Sequence, residues 1–287
     1  MRAQQQSSAQ EANISCSQYQ GLYIDSVNLR LTLRCQSTSL DAMFPLRDHN
    51  PSEKTPYVTY ALIAGNILVF ISYYGLFQDP RALQSFFETW GLVPAGASQN
   101  PTGFLTSMFL HGGLMHLGGN MLFLWIFGDN LEEEMGHTGF LAFYLAAGIG
   151  AALFQVLAEP NSIIPMVGAS GAIAGVLGGY LLMFPKARVD VLIIIIVIFR
   201  IIPVPAWLML GLWFGLQLFS GLTATAGVGG VAYWAHAGGF AVGLILVLPL
   251  WLRRGGPAYW NRTAGHPPHP EARYRRARTS IPKVNRR

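Results

Sequence analysis

Long uncharged stretches of apolar residues alternate with short polar connections along most of the chain. The first stretch, residues 57–78, contains no charged side chain. An α-helix needs about 20 apolar residues to cross the hydrocarbon core of a membrane. The pattern therefore predicts a first span at 57–78, followed by five more at about 112–127, 139–157, 170–184, 206–220 and 231–252.

The connections between these spans are polar or are interrupted by proline. Residues 79–104 are apolar in places but contain three prolines, which predicts a loop packed at the membrane interface. Residues 129–138 predict a short polar loop. Residues 191–202 are apolar, but 12 residues that include Arg200 are too few to cross a membrane, so this segment is predicted to be interfacial.

Charge placement orients the predicted spans. Hydrophobic residues make up 52% of the chain and charged residues 11%, whereas soluble domains carry about 25% charged residues. With six spans, one side of the membrane receives both termini together with Arg47, Lys54, Lys186 and Arg188, and the other receives little beyond Arg81. Cytoplasmic loops of membrane proteins carry an excess of Lys and Arg, so both termini are predicted to be cytoplasmic.

The C-terminal tail is strongly basic. Ten of the 19 Lys and Arg residues lie from Arg253 onward, beside one acidic residue, Glu271. A basic tail can bind nucleic acid, but nothing else in the sequence is typical of a nucleic-acid-binding fold. We therefore expect the tail to lie near anionic lipid and expect no nucleic acid as a partner.

Four polar residues inside the predicted spans are candidates for chemistry, because polar groups within a bilayer are costly and are often functional. They are His116 and Asn120 in the second span, Ser170 in the fourth and His236 in the sixth. These three spans run in the same direction, and each candidate lies near the start of its span. His236, for example, lies roughly 8 Å below the start of its predicted helix. The candidates therefore converge in one shallow layer.

Small residues accompany the serine and the histidine. Gly171 and Gly175 form one GxxxG pattern, and Gly239 and Gly243 form another. Such patterns let membrane helices approach closely. GxxxG can serve packing alone, but here each stripe also carries one reactive residue, and a serine must lie within about 3 Å of a histidine nitrogen to transfer its proton.

These residue types suit hydrolysis of a peptide bond. Ser170 is predicted to be the nucleophile and His236 its base. Asn120 and His116 are predicted to stabilise the oxyanion together with the Ser170 backbone N–H at a helix N-terminus. The supporting positions are His111, Gly168, Gly171, Gly239 and Gly243.

No acid is placed to complete a triad. Between residues 139 and 252 the acids are Glu159, in a predicted outer loop, and Asp190, on the predicted cytoplasmic side. We therefore predict a Ser–His dyad. The two cysteines, Cys16 and Cys35, give no metal-ligand spacing, and no HExxH motif is present, so no metal or other cofactor is expected.

Three segments carry a family resemblance. HGGLMHLGGNM at 111–121, GASG at 168–171 and AHAGGFAVG at 235–243 resemble the signatures of rhomboid proteases, and GDNLEEEMG resembles the family's cytoplasmic turn, with Glu132 at its acidic position. The resemblance covers about residues 43–255. It implies Ser170 as nucleophile, His236 as base, and Asn120 with His116 as oxyanion donors.

The resemblance also implies a fold and a substrate class. The expected fold is an all-α polytopic membrane protein, a bundle of six transmembrane helices with a short central fourth helix. Family members cleave single-pass membrane proteins near the membrane surface, so such proteins and the lipid bilayer are the expected partners. Resemblance to bacterial members suggests a bacterial inner membrane.

The sequence departs from some bacterial members in two places. Ala174 stands where they have a tyrosine that stacks on the histidine, and their Trp-Arg pair in the first outer loop is absent. Another residue must therefore hold the His236 ring, and Phe240 or Trp234 is expected to do so.

Three regions are predicted. Residues 1–56 are polar and predicted to be disordered, with 1–42 either an extension upstream of a native start at Met43 or a tail irrelevant to activity. Residues 57–252 are predicted to form the membrane protease domain, and 253–287 a basic, disordered cytoplasmic tail. Two alternatives remain at this point: a catalytically silent relative that binds membrane clients, and a transporter, which would be expected to have charged or broken helices at the midplane.

Overall fold

Apolar helices dominate the structure, a computed structural model that describes residues 43–195, 198–223 and 231–266. The α-helices are α1 Tyr57–Tyr73, α2 Pro80–Trp90, α3 Gly103–Thr106, α4 Leu114–Met135, α5 His137–Ala158, α6 Ser170–Met183, α7 Ala206–Thr223, α8 Tyr233–Arg253 and α9 Pro257–Thr263. Short 3₁₀ turns occupy Tyr74–Gln78, Pro94–Gly96 and Ser107–Phe109. The strands are β1 Met43–Asp48, β2 Arg188–Ile195 and β3 Ile198–Pro205.

Four helical segments in the described part of the chain are long and apolar enough to cross a membrane. They are Tyr57–Gln78, α5, α7 and α8, so the first, third, fifth and sixth predicted spans are confirmed as helices of sufficient length. Helix α6 is apolar but has only 14 residues. Helix α4 has 22 residues and carries acidic residues in its last turns. The count of six spans remains a prediction.

Two predicted loops are helical instead. Within 79–104, helix α2 begins where the Asp79 carboxylate accepts hydrogen bonds from the backbone N–H groups of Arg81 and Ala82, with Pro80 in the first turn. The polar segment predicted at 129–138 mostly continues α4, which ends before Gly136, whose φ of +72° makes the turn into α5.

The all-α prediction is wrong at one end of the bundle, where β1, β2 and β3 form an antiparallel sheet in that order. Of residues 191–202, predicted to be an interfacial segment, 191–195 lie in β2 and 198–202 lie in β3. These two strands are rich in valine and isoleucine, whose branched side chains favour strands. The prediction of disorder for 1–56 fails at β1, which pairs with β2, while residues 1–42 lie outside the described residues.

The sheet end is also fixed by charged side chains. The buried carboxylate of Asp190 accepts hydrogen bonds from Arg47 Nε and from His49 Nε2, each at 2.8 Å. Burial alone would raise the pKa of the Asp190 carboxyl, but these two partners hold it below its usual value. On β1, burial raises the pKa of the Asp48 carboxyl to about 7 even though Tyr180 of α6 donates a hydrogen bond to it.

Part of the basic tail is helical. Helix α9 lies inside the region 253–287 that was predicted to be disordered, and Trp260 Nε1 donates a hydrogen bond to the Leu182 carbonyl at 3.0 Å. Trp260 also packs on Trp251 of α8, with the ring centroids 4.8 Å apart. Residues 267–287 lie outside the described residues.

A carboxylate holds the first helix against the second predicted span. Glu132 of α4 accepts hydrogen bonds from the backbone N–H groups of Val58 and Thr59, each at 2.8 Å, and from the Thr59 hydroxyl. The first N–H groups of a helix have no intrahelical acceptor, and the positive end of the helix dipole favours an anion there. Glu132 therefore caps α1 from a position more than 70 residues away in sequence.

Helix α6 is the centre of the bundle and packs against α4, α5, α7 and α8. Ten of its 14 residues are buried, which explains why its sequence is apolar on every face. Glycines bring the backbones of α6 and α8 into direct contact. A Cβ atom on Gly239 would overlap the Gly171 carbonyl oxygen, and one on Gly243 would overlap the Gly175 carbonyl oxygen.

Substitution of Gly243 tests this contact. In Gly243→Ala the new methyl group meets backbone atoms of Gly175, which cannot rotate away, so α6 and α8 must separate. We expect a loss of stability of about 1–3 kcal/mol or more, measured as a lower melting temperature in detergent. The control is Gly65→Ala in α1, where a Cβ atom would have no neighbour within 4 Å. Equal melting temperatures for the two variants would contradict the close contact.

Candidate active site

A glycine turn sets the start of α6. Gly168 has a φ of +136°, which side chains rarely allow, and its N–H donates to the Ser107 carbonyl at 2.9 Å. Helix α6 then begins at Ser170. The backbone N–H of a residue in the first turn has no acceptor within its own helix, so the Ser170 N–H is a free donor beside its own side chain.

The serine and the histidine meet as predicted. Ser170 Oγ lies 2.8 Å from His236 Nε2. For the hydroxyl to donate this hydrogen bond to a neutral ring, the ring must carry its own proton on Nδ1. The distance lies within the range required for proton transfer between a nucleophile and its base.

A glutamine on α5 fixes the beginning of the histidine helix. Gln155 Oε1 accepts a hydrogen bond from the Ala235 N–H at 3.0 Å, and Ala235 lies in the first turn of α8, directly before His236. The Gln155 amide N–H in turn donates to Glu159 at 3.2 Å. A side chain from another helix therefore satisfies a backbone donor that α8 leaves open.

Two residues of α7 contact the His236 ring. Gln217 Oε1 lies 2.8 Å from His236 Nδ1, and the Trp213 ring lies over the imidazole with centroids 5.9 Å apart and planes at 34°. The expectation that Phe240 or Trp234 holds this ring is therefore wrong. Phe240 instead stacks on Phe214, with centroids 4.5 Å apart.

His116 presents a donor to the space beside the serine. Its Nδ1 accepts a hydrogen bond from the Gly112 N–H at 3.2 Å, so in the neutral ring the proton is on Nε2. A Cβ atom built on Gly168 would lie 2.9 Å from His116 Nε2 and 3.4 Å from Ser170 Oγ. The His116 Nε2–H and the serine hydroxyl therefore flank the same glycine.

Asn120 lies one helical turn after His116. Its amide nitrogen donates one hydrogen bond to the His116 carbonyl at 2.9 Å, and its side chain is mostly buried. An amide nitrogen carries two N–H groups, so one remains for a ligand. Asn120 lines the same cavity as His116 and Ser170.

His111 is fully buried behind this layer. Its ring meets the His116 ring edge to face, with centroids 5.2 Å apart. The Tyr73 hydroxyl accepts from the His111 N–H at 2.7 Å and donates to the His111 carbonyl at 2.9 Å. The end of α1 thus supports the loop that leads into α4.

A cavity of about 480 Å³ opens over the Ser–His pair. Its polar lining includes His116, Asn120, Ser170 and His236, and its apolar lining includes Met115 and Phe123 of α4. Among the residues that the structure describes, no group of three His, Cys, Asp or Glu side chains is arranged to hold a metal ion.

The structure brings together all four predicted site residues, and it adds two glutamines that the sequence analysis overlooked. Gln155 and Gln217 both lie in predicted spans and both contact the first turn of α8. A detectable signal existed for each, because an amide inside an otherwise apolar span is costly unless it has a partner.

Comparisons with known proteins point to one family. The family model described as Rhomboid domain matches residues 98–253. Rhomboid protein 1, mitochondrial, of Saccharomyces cerevisiae is 33% identical over 196 residues, which covers 66% of this chain and 51% of the yeast protein. Rhomboid-like protein 11, chloroplastic, of Arabidopsis thaliana is 28% identical over 231 residues, which covers 76% of this chain and 75% of the plant protein.

A bacterial protein is also similar. Rhomboid protease GluP of Bacillus subtilis is 37% identical over 133 residues, which covers 44% of this chain and 24% of GluP. The chain therefore spans about half the length of the yeast relative and less of GluP. Similarity to mitochondrial and chloroplastic proteins does not support the expected bacterial inner membrane. The matches and the apolar helices together establish an integral membrane protein with several spans.

The turn at Gly168 gives a direct test of the site. In Gly168→Ala the methyl group must displace the His116 ring, and the positive φ becomes strained. Since a misplacement of about 1 Å can cost about 10²-fold in rate, we expect fluorophosphonate labelling of Ser170 to slow by about tenfold or more.

The matched control is Gly113→Ala, since Gly113 is extended and a Cβ atom there would have no neighbour within 4 Å. Labelling rates are measured by gel fluorescence on purified, folded protein. Wild-type labelling of Gly168→Ala would mean that this turn does not position the serine.

Proposed function

Because the chain belongs to the rhomboid family, we propose that it is an intramembrane serine endopeptidase that uses Ser170 and His236 as a catalytic dyad. The observation that carries the proposal is the hydrogen bond of 2.8 Å between Ser170 Oγ and His236 Nε2. The bond lies at the N-terminal end of a central buried helix and faces a cavity of about 480 Å³.

The proposed reaction begins with attack by the serine. Ser170 Oγ forms a bond to the carbonyl carbon of the scissile peptide while its proton passes to His236 Nε2. The protonated ring then gives this proton to the leaving amine as the C–N bond breaks. A water molecule, deprotonated in the same way, hydrolyses the acyl-enzyme and restores the serine.

Three donors support stabilisation of the oxyanion. The Ser170 N–H is free at the start of α6, the His116 Nε2–H flanks Gly168, and Asn120 retains one amide N–H for a ligand. Preorganised donors in a water-poor site stabilise developing charge more strongly than the same donors in water. We propose these groups as the oxyanion site.

The proposed substrates are single-pass transmembrane proteins. His116, Ser170 and His236 all lie in the first turns of their helices, at the end of the bundle opposite the sheet. A site at this depth suits a peptide bond near a membrane surface. The proposal includes six spans with both termini on the cytoplasmic side, as the charge distribution predicts.

The dyad is tested by removing each member. In Ser170→Ala and in His236→Ala, turnover of a transmembrane model substrate in liposomes should fall nearly to background. The double variant should be no slower, because catalytic residues that act as one unit are strongly non-additive. A fluorophosphonate should label the wild type and not Ser170→Ala.

Ser72→Ala is the matched control, since Ser72 lies in α1 and its hydroxyl bonds only to the Val69 carbonyl among the described contacts. Substantial cleavage by a folded His236→Ala protein would contradict the assignment of the base. A wild type that binds a membrane client but neither cleaves it nor reacts with the probe would favour the silent client-binding alternative.

Asn120→Ala tests the oxyanion site separately. Loss of one such donor costs about 10²–10³ in turnover elsewhere, and here the other two donors can reduce the loss. KM should change little, because the oxyanion exists only in the transition state.

The control for Asn120 is Asn66→Ala. Asn66 is buried in α1 and also donates to the carbonyl four residues earlier, at 2.8 Å, but it lies outside the cavity. Steady-state kinetics and melting temperatures are measured for both variants. Equal kcat values for the two would remove Asn120 from the site.

A further inference from the structure

A neutral amide lies behind the histidine where many serine hydrolases place a carboxylate. Gln217 is the twelfth residue of α7, and α7 runs antiparallel to α8 beside the start of that helix. Its Oε1 lies 2.8 Å from His236 Nδ1, on the side of the ring opposite the serine. Ser170, His236 and Gln217 therefore form a continuous hydrogen-bonded row.

With Gln217 Oε1 directed at the ring, the row fits one form of the imidazole. The base must accept the Ser170 proton at Nε2, so the neutral ring must carry its own proton on Nδ1. An amide oxygen accepts this Nδ1–H and has no proton to donate to the nitrogen in return. The other tautomer would require the Gln217 amide to turn its NH₂ group toward the bare Nδ1, because Oε1 at 2.8 Å would face it as a second acceptor.

A second contact fixes the ring plane. Trp213 lies four residues before Gln217, on the same face of α7, and its ring packs over the imidazole. Gln217 therefore contacts the edge of the His236 ring at Nδ1, and Trp213 packs against the same ring. These two residues take over the role of the tyrosine that some bacterial members have at the position of Ala174.

We propose that Gln217 is the positioning residue of the dyad, holding His236 in the Nδ1–H tautomer so that Nε2 can accept the Ser170 proton. This inference rests on the proposed function. During the reaction the proton from Ser170 Oγ moves to Nε2 and later to the leaving amine, while the Nδ1 proton stays on the ring and in its hydrogen bond to Gln217. The imidazolium is stabilised by the amide dipole rather than by a charge.

Gln217→Met tests the acceptor, because methionine has a similar length and shape but a thioether that is only a weak acceptor. Loss of residues that orient a catalytic or ligating histidine typically costs about 10- to 100-fold, so we expect kcat to fall by about this factor with KM within about twofold. The same substitution at Gln84, which is exposed on α2 and bonded to Glu88, is the control.

Gln217→Glu provides a readout that a purely structural role would not move. It keeps an acceptor oxygen and adds a negative charge that stabilises the imidazolium, so the acid limb of the pH profile of kcat/KM should move to higher pH. Its kcat at the new optimum should exceed that of Gln217→Met. An unmoved acid limb, or a Gln217→Met protein within twofold of wild-type kcat, would overturn the proposal.

A spectroscopic measurement tests the tautomer of His236 independently of the proposed protease activity. Nitrogen-15 spectra of histidine-labelled protein, with the His236 signals assigned by their loss in His236→Ala, report the tautomer whether or not the protein cleaves anything. The proposal requires a protonated Nδ1 in the wild type and a mixture of tautomers in Gln217→Met. A wild type that carries its proton on Nε2 would overturn the proposal, even if Ser170 proved to be the nucleophile.

Discussion

Direct contact between the backbones of α6 and α8 is the constraint on which the site depends. Ser170 Oγ and His236 Nε2 lie 2.8 Å apart. Because both side chains are short, α6 and α8 must lie closer together than ordinary side-chain packing allows. Glycine on both helices removes the intervening Cβ atoms, as the overlap of a Cβ on Gly243 with the Gly175 carbonyl demonstrates. Apolar surface gives little drive for association between membrane helices, so dense contact of this kind supplies much of it.

A second feature is that open N–H groups at the starts of two helices are paired with side chains of other helices. The first N–H groups of α1 are satisfied by Glu132 of α4, and one of α8 is satisfied by Gln155 of α5. In hydrocarbon an open donor costs several kcal/mol. Each such bond therefore stabilises a helix and also fixes its position along the bundle axis, which sets the depth of His236 relative to Ser170.

The sequence predicted the parts of the molecule that depend on local pattern. Apolar length located four helices that are long enough to cross a membrane, and rare polar residues pointed to Ser170, His236, His116 and Asn120, which the structure places around one cavity. The sheet was not predicted because it joins distant parts of the chain, as in the pairing of Met43 with Ile193. The local sequence of each short strand does not indicate which other strand it pairs with. The roles of Glu132 and Gln155 escaped prediction for the same reason, since each caps a helix more than 70 residues away.

Gln217, like Gln155, is an amide within an apolar span, so its position is unusual in the sequence itself. The choice of an amide follows from the surroundings of α7, which packs loosely and carries exposed leucine, tryptophan and phenylalanine side chains. A carboxylate within an apolar span is costly, by about 2.5–3.5 kcal/mol at the centre of a helix and by less towards its end, and a buried ion regains this cost only with a well-placed partner of opposite charge. His236 is such a partner only while it is protonated, so an acid would be unpaired in the resting state. Glutamine offers the acceptor oxygen in both states of the ring without a charge to bury.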